Sequence, residues 1–292
     1  MIYTLENSTI KITASTDGGE LHSLTSQIDK TEFLWNGNEE FWKYHAPILF
    51  PIVGKVIDGH YTVEGKSYSL PQHGLARVSE FTMIEKSNSH IIFSLTYSDK
   101  TLEVYPYKFE LQIRYDLIDS GVKVSYKVIN KDDKEIFFSI GAHPAFMCPI
   151  LPDETMEDYF FSFNEKETSS LLTLNAEGYF SKTRANFLNN ENIISLSKDV
   201  FKNDALVFDN LKSNQISLKS KKHSKSLTMD FTGFPYMGLW SKPTGAPFVC
   251  IEPWFGHSDF EDFNDEFKNK EGIQHLHINA DFSCSYTVSF TI

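Results

Sequence analysis

Three short peptides, far apart in this 292-residue chain, each set one ionisable side chain beside Gly or Pro. They are Gln72-His73-Gly74, Gly141-Ala142-His143-Pro144 and Ile251-Glu252-Pro253. Two imidazoles and a carboxylate can move protons on and off neutral oxygens near pH 7. Each residue also has a plainer reading. His73, between Pro71 and Gly74, is either a turn histidine bonded to backbone or an imidazole aimed from a sheet edge into a loop-lined cleft. His143 is held extended by Pro144 and closes an apolar run, as a satisfied core histidine or as a group at the mouth of the sheet. Glu252 ends the apolar run of residues 248–251 and precedes Pro253 and Trp254. It is either an ion-paired strand end or a desolvated carboxylate, whose raised pKa would suit a base near neutrality.

Cations and a second carboxylate surround these peptides in sequence. Lys55 follows Gly54, and Arg77 lies just past His73. Both can reach the same cleft and bind hydroxyls or a phosphate, or they are solvated surface charges. Asp204 opens an apolar run and is a hydroxyl acceptor or a turn carboxylate; Asp209 closes that run and reads as a turn residue. His275 and His277 share one face of an extended segment, but spacing marks no third metal ligand. No GxGxxG, P-loop or GxSxG pattern occurs, and no metal, nucleotide or redox cofactor is called for.

Bulk properties narrow the partners. The formal charge of −12 argues against nucleic acid and anionic membranes, though not against one phosphate on a small molecule. Three cysteines without a CxxC pair argue against a disulfide framework or a Zn–Cys site. Residues 1–7 lack a basic, then apolar, leader pattern, and no apolar run approaches a membrane span, so a reduced cytoplasmic setting is expected.

The elements that must position these groups are strands. Apolar residues recur with a period of two at 9–13, 91–97, 226–231 and 285–290. Residues 61–70 read as a hairpin turning at Glu64-Gly65. Residues 109–115 and 122–128 flank the turn signal Asp119-Ser120-Gly121. Residues 135–140 run into the His143 peptide, and 247–252 run into Glu252. A short helical turn is expected at 39–44, capped by Asn38, and a short helix or ordered loop at 260–270. The polar stretch 181–197 reads as an excursion within the domain. With 14% aromatics and turn residues between closely spaced strands, the pattern predicts an all-β protein, a large antiparallel sandwich or barrel, as one domain over residues 1–292.

The order of these peptides resembles the aldose 1-epimerase (galactose mutarotase-like) superfamily, nearest to its LacX-like branch, which is associated with lactose and galactose catabolism. The resemblance runs through residues 47–55, 61–68 and Gln72-His73-Gly74, then Gly141-Ala142-His143-Pro144-Ala145-Phe146 and Cys250-Ile251-Glu252-Pro253-Trp254. It implies a β-sandwich (the galactose mutarotase-like supersandwich) with a sugar cleft on one sheet. It further implies His143 as general acid, Glu252 as general base, His73 near the ring oxygen and Asp204 as a substrate-binding carboxylate. Lys55 departs from the family's usual Arg, giving a point charge instead of a bidentate fork. The implied activity is cofactor-free interconversion of hexose anomers; alternatives are a hexose-6-phosphate 1-epimerase, with Lys55 and Arg77 on the phosphate, or a non-catalytic sugar sensor. The sharpest spatial expectation is one cleft lined by all three groups, with His143 and Glu252 on opposite sides of the sugar's C1–O5 bond.

Overall fold

The computed structural model describes residues 1–292. Antiparallel strands dominate it. A 15-stranded sheet starts at Ile48–Leu49, passes through Phe248–Phe255 and Tyr236–Trp240, and ends with Phe109–Ile118, His90–Thr96 and Thr82–Lys86. A three-stranded sheet, Ile2–Glu6, Ile10–Ser15 and Leu21–Ser26, and two small two-stranded sheets complete the architecture.

The large sheet curls so that its two ends share one core. Phe50, just after the first strand, packs with ring centroids 5.0 Å from Phe109 near the far end. Phe33 stacks on Phe290 at 4.7 Å, and Phe138 meets Phe282 at 5.6 Å. The abundant aromatics therefore fill the space between facing sheet layers, where large flat rings bury the most apolar surface. The core-facing residues of Phe109–Ile118 and Gly121–Asn130 alternate with partly exposed ones, as a half-buried strand requires.

Most strand expectations match. The 61–70 hairpin pairs His60–Val63 with Lys66–Ser69 and turns at Glu64 and Gly65, both at positive φ. Phe109–Ile118 pairs with Gly121–Asn130 across Asp119-Ser120.

The expected helical turn is present over its first residues: the Phe41 and Trp42 N–H groups donate to the Asn38 carbonyl and the Glu40 N–H to its side chain at 3.0 Å, and the buried Glu20 carboxylate then takes the Ala46 N–H at 2.6 Å. Three elements differ. The one α-helix is Asp99–Val104, capped reciprocally by Ser98 and Thr101. The 181–197 excursion is largely the 16-residue strand Phe180–Ser195, paired on one side only, with Tyr159–Leu174. An edge strand with few buried side chains needs no apolar alternation, so the pattern that betrays other strands is missing. The 135–140 run splits at Ser139. Ile136–Phe138 pairs with Gln274–Leu276, whereas Ile140–Ala142 joins the large sheet.

Candidate active site

Glu252 lies inside a strand, not at its end: Phe248–Phe255 continues through Pro253. Proline lacks an N–H, so a mid-strand position requires a break in pairing. The break is the His143-Pro144 dipeptide. On that side the strand pairs first with Ala145–Met147 and then with Ile140–Ala142. Ala145↔Cys250 and Gly141↔Trp254 belong to one register, which carried across the gap sets His143 opposite Glu252. Cross-strand partners project to the same face.

The row extends across the sheet. Glu252 pairs with Gly238, Gly238 with Val207, and Val207 with Leu172. Gly238 contributes no side chain, and a Cβ there would lie 2.5 Å from the Trp254 ring. Gly141 presses equally close to the other end of that indole. Trp254 is therefore a wedged platform, 6% exposed, with its Nε1 donating to Ala142 at 3.2 Å.

Above this row lies a cavity of about 300 Å³, lined by His73, His143 and Glu252 together with Lys55, Arg77 and Asp204. The six residues expected to line a sugar cleft thus meet in one place, while His275 and His277 lie elsewhere. The volume suits a small molecule of monosaccharide scale. Larger clefts of about 520 and 500 Å³ exist, but neither joins two imidazoles to a desolvated carboxylate.

His143 Nε2 sits 3.3 Å from Glu252 Oε2, with both side chains buried. Nothing the size of a sugar ring fits between atoms so close. Both groups therefore approach a ligand from the same side, and the expectation of opposite sides is corrected. Desolvation pushes Glu252 well above the ordinary carboxylate value, and Asp204 adds to the shift while the Trp254 indole opposes it. Burial lowers His143 to about 3, helped by the charge of Arg77 and opposed by its own backbone carbonyl. Both shifts favour an uncharged pair sharing one proton.

His73 is fixed differently. It adopts φ +67°, a left-handed conformation that costs a non-glycine residue roughly 1–2 kcal/mol. The cost is met by hydrogen bonds: His73 N–H donates to Gly54 at 2.8 Å, and the Gly54 N–H donates back to His73 Nδ1 at 3.1 Å. Gly74 must follow, because a Cβ there would collide with the Phe50 carbonyl. With Nδ1 accepting, the neutral ring carries its proton on Nε2, which has no protein acceptor. Burial, with His143, Arg77 and Lys55 nearby, holds the pKa well below the usual value, so His73 is a neutral donor.

The remaining polar groups stand at the rim. Lys55 Nζ donates to the Glu177 carbonyl at 2.7 Å. Arg77 donates to the Gln72 carbonyl at 2.7 Å and lies over the Tyr44 ring. Asp204 is exposed, at φ +77°, and accepts from the Ala205 N–H at 2.9 Å.

Sequence reasoning missed the aromatic walls. Trp42 lies 4.8 Å and Trp240 5.6 Å from the His143 ring, centroid to centroid. Trp240 pairs with Cys250, two residues from Glu252 on the same face, so it would have been found had that pairing been known. Phe146, which ends the peptide of His143, faces away into the core at 1% exposure.

The curled antiparallel sheet is the galactose mutarotase-like fold, and the chain belongs to the aldose 1-epimerase family, whose family model matches residues 1–273. It is 35% identical over 266 residues to the chromosomal LacX protein of Lactococcus lactis subsp. lactis, covering 88% of this chain and 89% of that one. Among solved structures it is similar to a galactose mutarotase related enzyme from Lactobacillus acidophilus, with a TM-score of 0.96 and 34% identity over 100% of this chain and 98% of that one. It is likewise similar to a galactose mutarotase-like protein from Lactobacillus casei ATCC 334, with a TM-score of 0.93, 30% identity and full coverage of both.

Proposed function

We propose that the protein is an aldose 1-epimerase that interconverts the α and β anomers of a free hexose by acid–base ring opening. The observation that carries this reading is the buried His143–Glu252 contact of 3.3 Å at the floor of a monosaccharide-sized cavity. O1 and O5 of a pyranose are bonded to the same carbon. Two adjacent groups on one side of the ligand can therefore serve both oxygens.

The proton balance closes. A proton hop from Glu252 to His143 converts the neutral pair into carboxylate and imidazolium, with no change in the number of protons held. Glu252 then takes the proton from the O1 hydroxyl while His143 gives its proton to O5. The C1–O5 bond breaks, O1 becomes the aldehyde oxygen, and the pair is neutral again. Rotation about C1–C2 exposes the other carbonyl face, and the reverse steps close the ring as the other anomer. The neutral pair favoured by burial is therefore also the state that accompanies the open chain, and desolvation lowers the cost of reaching it. In this reading the His73 Nε2–H donates to the ring oxygen or a neighbouring hydroxyl. Lys55, Arg77 and Asp204 bind the outer hydroxyls.

Anomer exchange on glucose and galactose, followed by polarimetry or NMR, tests the reading. Wild-type protein should accelerate exchange, and Glu252→Gln should bind sugar without doing so. Wild-type protein that binds a hexose yet leaves its exchange rate at the solution value would make this a non-catalytic sugar-binding protein. Two cations on one rim favour a second reading, a hexose 6-phosphate as substrate, because each could release its backbone carbonyl for a phosphate oxygen. Preference for 6-phosphates over free sugars, abolished in Lys55→Ala/Arg77→Ala, would select it.

A further inference from the structure

His275 and His277 are unused by the proposed chemistry, and in sequence they lack a third partner. The fold supplies one. Ile136–Phe138 pairs antiparallel with Gln274–Leu276, with Ile136 opposite Leu276 and Phe137 opposite His275. One step further along this register, Glu135 falls opposite His277. Side chains two residues apart on a strand share a face, so Glu135, His275 and His277 converge.

The distances agree. His275 Nδ1 lies 2.9 Å and His277 Nδ1 3.1 Å from the same oxygen, Glu135 Oε1. The two rings are nearly perpendicular, with centroids 5.6 Å apart. The three donor atoms all lie within 4.8 Å of one another. Zinc sits roughly 2.0–2.2 Å from imidazole nitrogen and carboxylate oxygen, so ligand atoms around one ion stand about 3–3.5 Å apart, close to the two imidazole–carboxylate distances here. Lys134, the neighbouring cation, is directed elsewhere, 3.6 Å from Glu64 and over the Tyr107 ring. The three side chains are partly or largely exposed, leaving the remaining coordination positions open to water.

We propose that Glu135, His275 and His277 form a surface site for a divalent transition metal of the Zn²⁺, Ni²⁺ or Cu²⁺ class, the ions that imidazole and carboxylate ligands suit. An ion there bridges Ile136–Phe138 to Gln274–Leu276. It braces the segment that leads through Ser139 to Ile140–Ala142 and His143. Binding only the folded arrangement, it raises thermal stability by mass action. Imidazoles must be unprotonated to coordinate, so affinity falls as pH drops.

The test uses untagged full-length protein, ZnCl₂ and NiCl₂, isothermal titration and thermal melts. The expected result is one ion per chain and a metal-dependent rise in Tm. His275→Ala and His277→Ala should each weaken binding by at least the roughly 10–100-fold that loss of even an outer-sphere partner costs. Glu135→Gln should weaken it too. All three positions are on the surface, so the melting curves without metal should match wild type. His45→Ala is the control, because Glu20, His22 and His45 form the other cluster of this composition, built on a buried carboxylate. Absence of binding to wild type overturns the proposal. So does binding that survives His275→Ala, or binding that His45→Ala removes.

Discussion

Glu167 and Glu252 are buried to almost the same degree, 1% and 2% exposed, and the structure treats them in opposite ways. Glu167 lies at an irregularity in the long strand Tyr159–Leu174 and is fully served. It accepts from Ser213 N–H at 2.7 Å, Ser213 Oγ at 2.6 Å and Lys212 N–H at 3.0 Å. Glu252 receives no backbone N–H, and its nearest imidazole nitrogen is His143 Nε2. A buried carboxylate ringed by donors holds its loop in place. One given no backbone donor keeps a raised proton affinity, which its surroundings can put to use.

The widest separation between the two should come from their conservative and truncating variants. Glu252→Gln should lower the rate of anomer exchange by about 10²–10⁴-fold, the usual worth of a general acid or base, while Tm does not fall. Glu167→Ala should do the reverse. Each donor orphaned near Ser213 costs about 1–3 kcal/mol, so a large fall in Tm should accompany an unchanged rate per folded molecule. A stable but inactive Glu167→Ala protein would erase the distinction.

Gly238→Ala should have the next largest effect on turnover. Its new methyl group would meet the Trp254 ring at 2.5 Å, costing about 1–3 kcal/mol of stability. Tilting the Trp254 platform beside Glu252 should also reduce kcat/KM by up to about 10²-fold, the scale of a 1 Å misplacement. Unchanged kinetics would mean that the platform does not position the carboxylate.

The pH dependence of stability sharpens the contrast further. Glu252 binds its proton more tightly folded than unfolded. Its stabilising contribution is complete below the usual 4.5 and is lost as pH rises through the raised folded value. Melts of wild type against Glu252→Gln should therefore show wild type losing ground as pH climbs above 4.5. His143 has the opposite sign: its contribution is present above 6.5 and lost as pH falls from 6.5 toward about 3. Wild type against His143→Asn should lose ground in that acid window.

The smallest effect is expected at the rim. Lys55→Arg should change KM by less than about fivefold, the worth of one exposed charge contact, and leave kcat alone. A large gain with Arg would show that a bidentate fork at this position sets hydroxyl selectivity.

Legibility from sequence divided along the same physical lines. The hairpin of Phe109–Ile118 and Gly121–Asn130 was plain, because one face is wet and the other buried and the residues alternate accordingly. Phe180–Ser195 was hidden, because an edge strand with a mostly exposed surface carries no such alternation. Among the site residues, His73, His143 and Glu252 were visible because Gly or Pro marks the unusual backbone around them. Trp42 and Trp240 were not, because nothing local separates a cleft-wall aromatic from a core one.

The sequence by itself determined the strand-rich class, the residue types able to move protons and their placement beside backbone irregularities, since composition and a two-residue period are local properties. Only the tertiary structure decided that His143 stands opposite Glu252, that Gly238 flanks Glu252 on its other side, and that Glu135 joins His275 and His277. A period of two fixes the face on which a side chain emerges, but not which strand lies alongside. Desolvation, which sets the proton affinities of the pair, is a property of the enclosure and of no residue within it.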